Sequence, residues 1–511
     1  MCYPPQDYVG TIPGLHAPTH GVAGVDPVAL DTSQTTTGRF GMPRMPDGVL
    51  GNVLTAQGVG VDPIYAPAGG ADTRGRTIVV AASNSIDPTL APAAYRCDGV
   101  ADQVEINAAI AAMGATGGTV ILLEGTYNIT ASINLASLTA LMGQGAGTVL
   151  FIPNGHNADL NVISAVSVNR VLVADLRIDG NKANQTAGNM NGIYFETVTY
   201  SKIVDSWVEN LRTLGIYLEA SDYNTIVNNI SRGNSYGIYG YQSSSNIVVG
   251  NTFGGNGSRG IYWEGSTIPL GPADYNAFIG NTCRGNTGDG FYLYNSKYNT
   301  IAGNTIVSNG SEGIYLDEDC SDNDITGNII KGNSTDGIEC YTAERNTISG
   351  NILQGNGAMG IYLYSSDYNA VVGNTIKDNT WYGIWTEGCN YNTISGNTVS
   401  GNNYTGIHLY ESGHSTVESN TVVGNSQGAD NTYDGITIEA NSDYNNVQGN
   451  TVRHAGGAKQ HRYGINIASA GCDGTLVINN DLYLAGKTAD YNDAGTGTIY
   501  HNNRTTAGWV A

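Results

Sequence analysis

Basic residues are scarce in this chain. Only 22 of its 511 residues are Lys or Arg, against 44 Asp or Glu, a formal charge of −22 at pH 7. A phosphate backbone wants clustered cations, so non-specific nucleic-acid binding is not expected. Long apolar runs are missing too, since no stretch approaches the roughly 20 residues a membrane helix needs. The N-terminal residues MCYPPQDYVGTIPGLHAPTHGV have neither a basic start nor an apolar core, so no signal peptide is expected. The seven Cys are scattered at no metal-ligand or disulfide-framework spacing. Cys283 and Cys340 occupy apolar positions of neighbouring repeats and are expected as buried free thiols. Charged residues are only 13% of the chain, yet an apolar content of 40% is too high for a disordered one.

Glycine and tyrosine are abundant, at 70 and 32 residues. A chain this long exceeds one ordinary core, so either several domains or an elongated repeat is expected. A Gly followed by an apolar residue recurs at Gly192, Gly215, Gly237, Gly260, Gly290, Gly313, Gly337, Gly360, Gly383, Gly406, Gly435 and Gly464. The gaps are 23, 22, 23, 30, 23, 24, 23, 23, 23, 29 and 29, the long ones carrying insertions near Thr267, Gln427 and Gly456. A second marker, the Asn of "GN" steps, keeps the same beat at Asn251, Asn281, Asn304, Asn328, Asn351, Asn374, Asn397 and Asn450.

One unit, YNAVVGNTIKDNTWYGIWTEGCN from Tyr368, holds three short β-branched runs bounded by Asn or Gly. Such runs read as short strands joined by tight turns, and helix formers are too few for the alternative. The predicted fold is all-β: a right-handed parallel β-helix of about a dozen or more coils, three strands per coil. Recurrent Asn at one turn is expected to stack its amides about 4.8 Å apart, rung on rung. Residues 102–113 predict a short amphipathic helix with Asp102 as N-cap and Val104, Ile106, Ala109, Ile110 and Met113 facing the first coil. The expected organisation is an arm over 1–75, the capping helix and first coils over 76–190, regular repeats over 191–484, and a cap or tail over 485–511.

Two stretches resemble known families. The run DGVADQVEINAAIAAMGATGGTVILLEGTYNI, residues 98–129, is similar to the opening of pectate-lyase-like β-helix proteins, and the following coils resemble the parallel β-helix repeat of that superfamily. The superfamily includes polysaccharide lyases, hydrolases, mannuronan epimerases and phage tailspikes, so the resemblance implies a fold rather than one activity. HAPTHGVAGVDPVAL, 16–30, and GVLGNVLTAQGVGVDPIYAP, 48–67, look like segments of tailed-phage tail fibre and tailspike proteins. That resemblance implies a virion-borne or extracellular protein, attached to other tail proteins through residues 1–75, and a homotrimer. No nucleic-acid or membrane partner is expected.

Counting from each repeat Gly, alternation turns positions +1 and +3 inward and +2 and +4 outward. The +2 column includes Tyr262, Tyr292, Tyr315, Glu339, Tyr362 and Trp385. The +4 column includes Glu264, Tyr294, Asp317, Tyr341, Tyr364 and Glu387. Aromatic rings pack on the C–H faces of sugars and carboxylates accept hydroxyl hydrogen bonds, which suits an extended host-surface glycan. Aromatic ladders also stabilise rungs by themselves, and a Tyr-rich face also serves subunit contacts.

Glu339 breaks the aromatic column beside Asp317, Glu318 and Asp319, with Glu312, Asp322 and Asp336 near in sequence. Asp317, Glu339 and Asp319 are the catalytic candidates, because carboxylates on adjacent rungs stand about 5–8 Å apart and crowding raises one pKa. The same three offer oxygens for Ca²⁺; otherwise no cofactor is expected. A solvated acidic turn remains the third reading. No Lys or Arg stands in these columns near the cluster, which speaks against a lyase with a basic proton abstractor. His16 and His20 have metal-like spacing but no helix to aim them, so no metal is expected there. The loop 179–192 with Lys182 is an insertion of the kind that borders grooves. The leading expectation is a tail fibre or tailspike that recognises or depolymerises a host glycan. The rivals are a stand-alone polysaccharide lyase, hydrolase or epimerase, and a purely structural fibre.

Overall fold

The computed structural model describes residues 52–55, 64–67, 76–267 and 270–510. The arm expected over 1–75, with His16 and His20, lies outside the described residues except for two strands. Asn52–Thr55 and Ile64–Pro67 pair antiparallel, within a unit that ends at Arg74. From Arg76 onward the described chain is a right-handed parallel β-helix with three parallel sheets. Sheet 1 has 15 strands, running from Ile133–Leu135 to Ala489–Asp493, and contains the strands that follow each repeat Gly. Sheet 2 pairs its strands in chain order from Arg76–Val80 to Ile499–His501, and sheet 3 has 14, from Gly125–Asn128 to Thr451–Arg453. One coil visits all three as Ile361–Tyr364, Ala370–Val372 and Thr375–Lys377 before Ile384–Glu387 opens the next.

Pairing in sheet 1 is unslipped: Tyr315 faces Glu339, Glu339 faces Tyr362, and Tyr362 faces Trp385. A column in the sequence is therefore a column in space. Inward positions such as Ile314, Leu316, Ile338 and Cys340 are fully buried, while most outward ones are partly exposed. The described cysteines are buried free thiols.

Asparagine explains how the turns close. At the GN corner, the Asn351 amide N–H donates to Asn374 Oδ1 at 2.9 Å, and Asn351 Nδ2 donates to Ile325 O at 2.9 Å and Asn374 Oδ1 at 3.0 Å. The pattern repeats from Asn229 to Asn503, and two further ladders run at the other corners, one through Asn346 and Asn369 and one through Asn356 and Asn379. Only the first was legible as a ladder. Each buried amide satisfies its own groups and a neighbour's backbone, so deletion strands several at once. Asn351→Ala is expected to cost about 3 kcal/mol in urea unfolding, because an N–H of Asn328 and a C=O of Ile325 lose partners together.

The ladder through Asn356 and Asn379 ends on a histidine. The Asn425 N–H donates to His461 Nε2 at 2.8 Å, and His461 Nδ1 lies 3.1 Å from Ala485 O. Burial holds this ring's pKa down at about 4, against the usual 6.5. The unfolded chain takes up a proton below 6.5 that the folded one refuses until about 4, so stability falls as pH drops through that window. The loss should reach about 3 kcal/mol, and His461→Asn, which continues the ladder, should remove it from the acid side of the urea-midpoint profile.

The N-terminal end is covered by helix α1, Gln103–Met113, packed on Arg76–Val80, Gly118–Leu122 and Ile133–Leu135. Ile106, Ala109, Ile110 and Met113 are buried, but Val104 is exposed, correcting the expected apolar face. Asp102 does not cap the helix with its side chain: Oδ1 and Oδ2 accept the Gly99 and Asn128 N–H groups at 2.8 and 2.7 Å. It ties helix to first coil instead. Within 485–511, Ala489–Asp493 and Ile499–His501 add strands to two sheets, and a hairpin of Asn503–Thr505 with Gly508–Val510 follows.

Candidate functional site

The outward face of sheet 1 carries the two columns as side-by-side stripes. Tyr262 and Tyr292 have ring centroids 5.1 Å apart, Tyr292 and Tyr315 5.2 Å, and Tyr362 and Trp385 5.7 Å. Beside them Tyr341 and Tyr364 stack at 5.1 Å. All ten residues read as glycan contacts share this face. The stripes are cross-linked: Tyr239 Oη donates to Glu264 at 2.8 Å, Tyr362 Oη to Glu387 at 2.7 Å, and Tyr292 Oη to Asp317, each reaching the next rung. Part of the face therefore serves the solenoid itself.

A third column was missed by counting from Gly. The residue before each Gly also points outward, and because Gly has no side chain, it meets the +2 residue of its strand. This column reads Tyr236, Arg259, Asp289, Glu312, Asp336, Met359 and Tyr382. Backbone bonds of 2.9–3.0 Å from Gly290 N to Glu312 O and Gly313 N to Asp336 O set these residues rung on rung. Three consecutive acids in it were the signal available in the sequence.

Glu339 therefore meets Glu312 and Asp336, and carboxylate oxygens of the three lie within 4.8 Å of one another. Asp336 is buried, accepting the Met359 N–H at 2.6 Å, and desolvation pushes its pKa up to about 7. Glu339 is pushed up to about 8, by burial first and then by the charges of Asp336, Glu312, Asp317 and Asp289. No hydrogen bond from the described residues reaches its carboxyl. Burial also raises Asp289, which lies beside Glu312 and pairs with Arg259 Nε at 2.8 Å. Burial alone would raise Glu312, but hydrogen bonds from Asp289, Ser311 and Thr335 outweigh it and leave the carboxyl below its usual range. Two carboxyls side by side thus hold opposite protonation states near neutral pH, the arrangement that assigns an acid and a base.

Of the other predicted candidates, Asp317 stays on the same face, engaged by Tyr292 and contributing to the field on Glu339. Asp319 lies beyond the strand end, paired with Lys297 Nζ at 2.7 Å, so it is not part of the three-carboxylate group. The oxygens that come together are Glu312, Asp336 and Glu339 rather than Asp317, Asp319 and Glu339. A cation also stands closer than the +2 and +4 columns suggested: the Arg259 guanidinium lies 3.8 Å from the Tyr292 ring centroid and 4.8 Å from that of Tyr262. The loop of Lys182 lines a separate cavity of about 530 Å³ with Asp179, Asn181, Ala183 and Asn210.

Another aromatic line was also missed. Tyr275 and Tyr298 stack at 4.9 Å on an exposed corner, as do Tyr368 and Tyr391 at 5.0 Å, all with left-handed φ of 57–59°. Tyrosine in that region is disfavoured, and stacking at the "YN" step offsets part of the cost.

Among the described residues no helix is long and apolar enough to cross a membrane. Residues 161–336 and 332–430 match a family model described as periplasmic copper-binding protein (NosD). No curated protein matches the chain. Among solved structures, the A-module of the Azotobacter vinelandii mannuronan C-5 epimerase AlgE6 is similar at 19% identity over 79% of this chain and 96% of its own, with a TM-score of 0.44. The periplasmic alginate epimerase AlgG is similar at 16% identity, over 59% and 74% of the two chains, with a TM-score of 0.39. Tailspike protein 3 of bacteriophage CBA120 is similar at 13% identity, over 91% of this chain and 64% of its own, with a TM-score of 0.45.

The donors gathered among the described residues do not fit copper, which selects imidazole and thiolate or thioether sulfur. Glu312, Asp336 and Glu339 form an all-oxygen set, and in the other group, Cys97 with Asp102 and Glu105, burial pushes the thiol well above its usual range. The matched segments together run from 161 to 430, more than half of the chain, and the protein belongs to the NosD family of parallel β-helix repeat proteins.

Proposed function

We propose that the outward face of sheet 1 holds an extended host-surface polysaccharide and that Glu339 and Glu312 hydrolyse it. The observation that carries this reading is the pair itself. Glu339 keeps its proton at neutral pH while Glu312 is ionised beside it, and Glu339 stands in the aromatic column between Tyr315 and Tyr362. Glu339 donates its proton to the departing glycosidic oxygen as the C–O bond breaks. Glu312 attacks the sugar carbon as nucleophile, since the two carboxyls stand too close to hold an inverting water, and the glycosyl ester so formed is then opened by water. Water supplies the hydroxyl of the new reducing end, and its second proton restores Glu339. Asp289 and Asp336, both buried, set the field and touch no substrate.

The N-terminal resemblance supports placing this shaft on a virion tail, attached through residues 1–75 and working outside the cell as a homotrimer. Light scattering is expected to give three times the chain mass; a monomer would remove the tail reading. For the activity, the protein is incubated with a panel of capsular and cell-wall polysaccharides. New reducing ends from at least one, absent with Glu339→Gln, are expected. Unchanged polymer size across the panel, or full activity in the variant, overturns the assignment.

A further inference from the structure

Sheet 1 does not end as it runs. Its two 29-residue repeats carry insertions, and these fold onto each other near the last rungs. Asn431 N donates to Gln460 O at 3.0 Å, Arg462 N donates to Tyr433 O at 2.7 Å, and Gln460 N donates to Asp430 Oδ1 at 3.1 Å. They wall a cavity of about 450 Å³ whose lining includes Tyr382, His408, Tyr433, Glu439 and Arg462. Repeats without insertions keep all three sheets, so the solenoid does not require these loops.

The floor is built around Asp434. Its carboxylate, with 2% side-chain exposure, accepts from Arg462 Nε at 3.1 Å and its terminal nitrogen at 2.8 Å, Asn466 Nδ2 at 2.8 Å, Thr437 Oγ1 at 3.0 Å and the Tyr463 N–H at 3.1 Å. Five donors on one buried carboxylate hold Arg462, Asn466 and Thr437 in place, and the Arg462 charge is already matched. Above it stands His408, 7% exposed, with Nε2 3.1 Å from Glu439 Oε2. Its Nδ1 is buried without a partner. The ring stacks on Trp385 at 5.7 Å, and the one polar contact it makes, through Nε2, positions the Glu439 carboxylate at the cavity. Tyr433 closes one wall, stacked on Tyr404 at 4.3 Å.

The cavity thus offers a fixed carboxylate acceptor, the edge of a neutralised guanidinium, hydroxyls and aromatic walls. An anionic ring would meet Glu439 with no free cation to offset it. The geometry points to a neutral sugar as the occupant. The folded insertions wall the groove at these rungs, so the sugar is the end of a chain. On the reading of the face as a glycan groove, this pocket is a ruler. His408 stands three rungs from Glu339, through Tyr362 and Trp385, about 14 Å and room for about three sugar rings. A chain seated in the pocket is cut a few residues from its end, releasing short products of nearly one length.

Two measurements separate this pocket from the catalytic pair. The full chain is titrated by saturation-transfer NMR with glucose, galactose, N-acetylglucosamine and, as the anionic comparison, glucuronic acid. One or more neutral sugars should bind, with affinity falling at least about tenfold in Tyr433→Ala and in Glu439→Gln. Circular dichroism confirms that each variant is folded. Absence of neutral-sugar binding, preference for glucuronic acid, or equal affinity in both folded variants overturns the pocket, whether or not any polymer is cut. On a polymer that wild type cleaves, short products should be of nearly one length and should broaden in Tyr433→Ala while cleavage continues. An unchanged product pattern in that variant overturns the ruler and leaves the catalytic assignment standing.

Discussion

Gly360→Val is expected to be the most damaging single substitution in the shaft, costing at least about 4 kcal/mol. Gly360 does not sit in the left-handed region, so the reason is not backbone freedom. A Cβ there would lie 2.6 Å from Gly383 O on the next rung, 2.3 Å from Ile376 Cγ2 and 3.0 Å from Asn379 Nδ2. Gly383 O accepts the Ile361 N–H at 3.0 Å, so moving it breaks a sheet bond, and Asn379 belongs to a buried ladder. None of the three neighbours can give way. Each coil touches only its neighbours, so a defect here also weakens the coupling between the coils before and after it. Urea unfolding should lose its single transition and separate into two. Gly373, in the same coil, makes the contrast. Its φ is +66° and a Cβ would meet nothing within 4 Å, so Gly373→Ala should cost only about 1 kcal/mol, from the left-handed conformation. Gly373→Asn should be nearly neutral, since Asn tolerates that conformation. Equal losses at the two glycines would refute the close-packing account.

These glycines show how far the repeat could be read. A period of 23 and two markers were enough for the fold, because identical neighbours impose the register of Tyr315, Glu339 and Tyr362 without any long-range information. The same period hid what lay off its origin. Counting began at Gly, so Arg259, Asp289, Glu312 and Asp336, one residue earlier, were left out of the columns although their spacing is the same. Alternation was the obstacle: with Gly and the residue after it both turned inward, the position before Gly rejoins the outward face, which strict period-2 counting does not anticipate. Glu339 stood out because it breaks a column. Asp319 was grouped with it by sequence proximity, yet a turn at the strand end sends it to Lys297. The pocket of His408 and Arg462 was beyond reach for another reason. The insertions near Gln427 and Gly456 were visible, but a repeat specifies where a loop leaves the coil and not where it folds back.

Glu339→Gln should separate a catalytic acid from a structural carboxyl by two opposite effects. Gln keeps the shape but has no proton to give, so hydrolysis should fall about 10²–10⁴-fold. In wild type, kcat/KM should decline as pH rises through about 8, where Glu339 loses its proton, and that alkaline limb should vanish from the residual activity of the variant. Stability should move the other way. The folded pKa lies above the usual 4.5, so the group's stabilising contribution is full below 4.5 and is lost as pH rises through about 8. The ionised carboxyl is held beside Glu312 at alkaline pH, and Gln removes that repulsion. After allowance for solvent screening of a partly exposed group, the variant should gain about 2 kcal/mol at pH 8.5 and nothing at pH 4. Melting temperatures at those two pH values check the second effect, and initial rates across the pH range the first. A variant that is inactive and more stable at alkaline pH carries the signature of a proton donor kept charged against its environment only when that environment is forced to give the proton up. A variant that is inactive and less stable would instead mean that Glu339 holds the groove together, and the acid would have to be sought in Asp336.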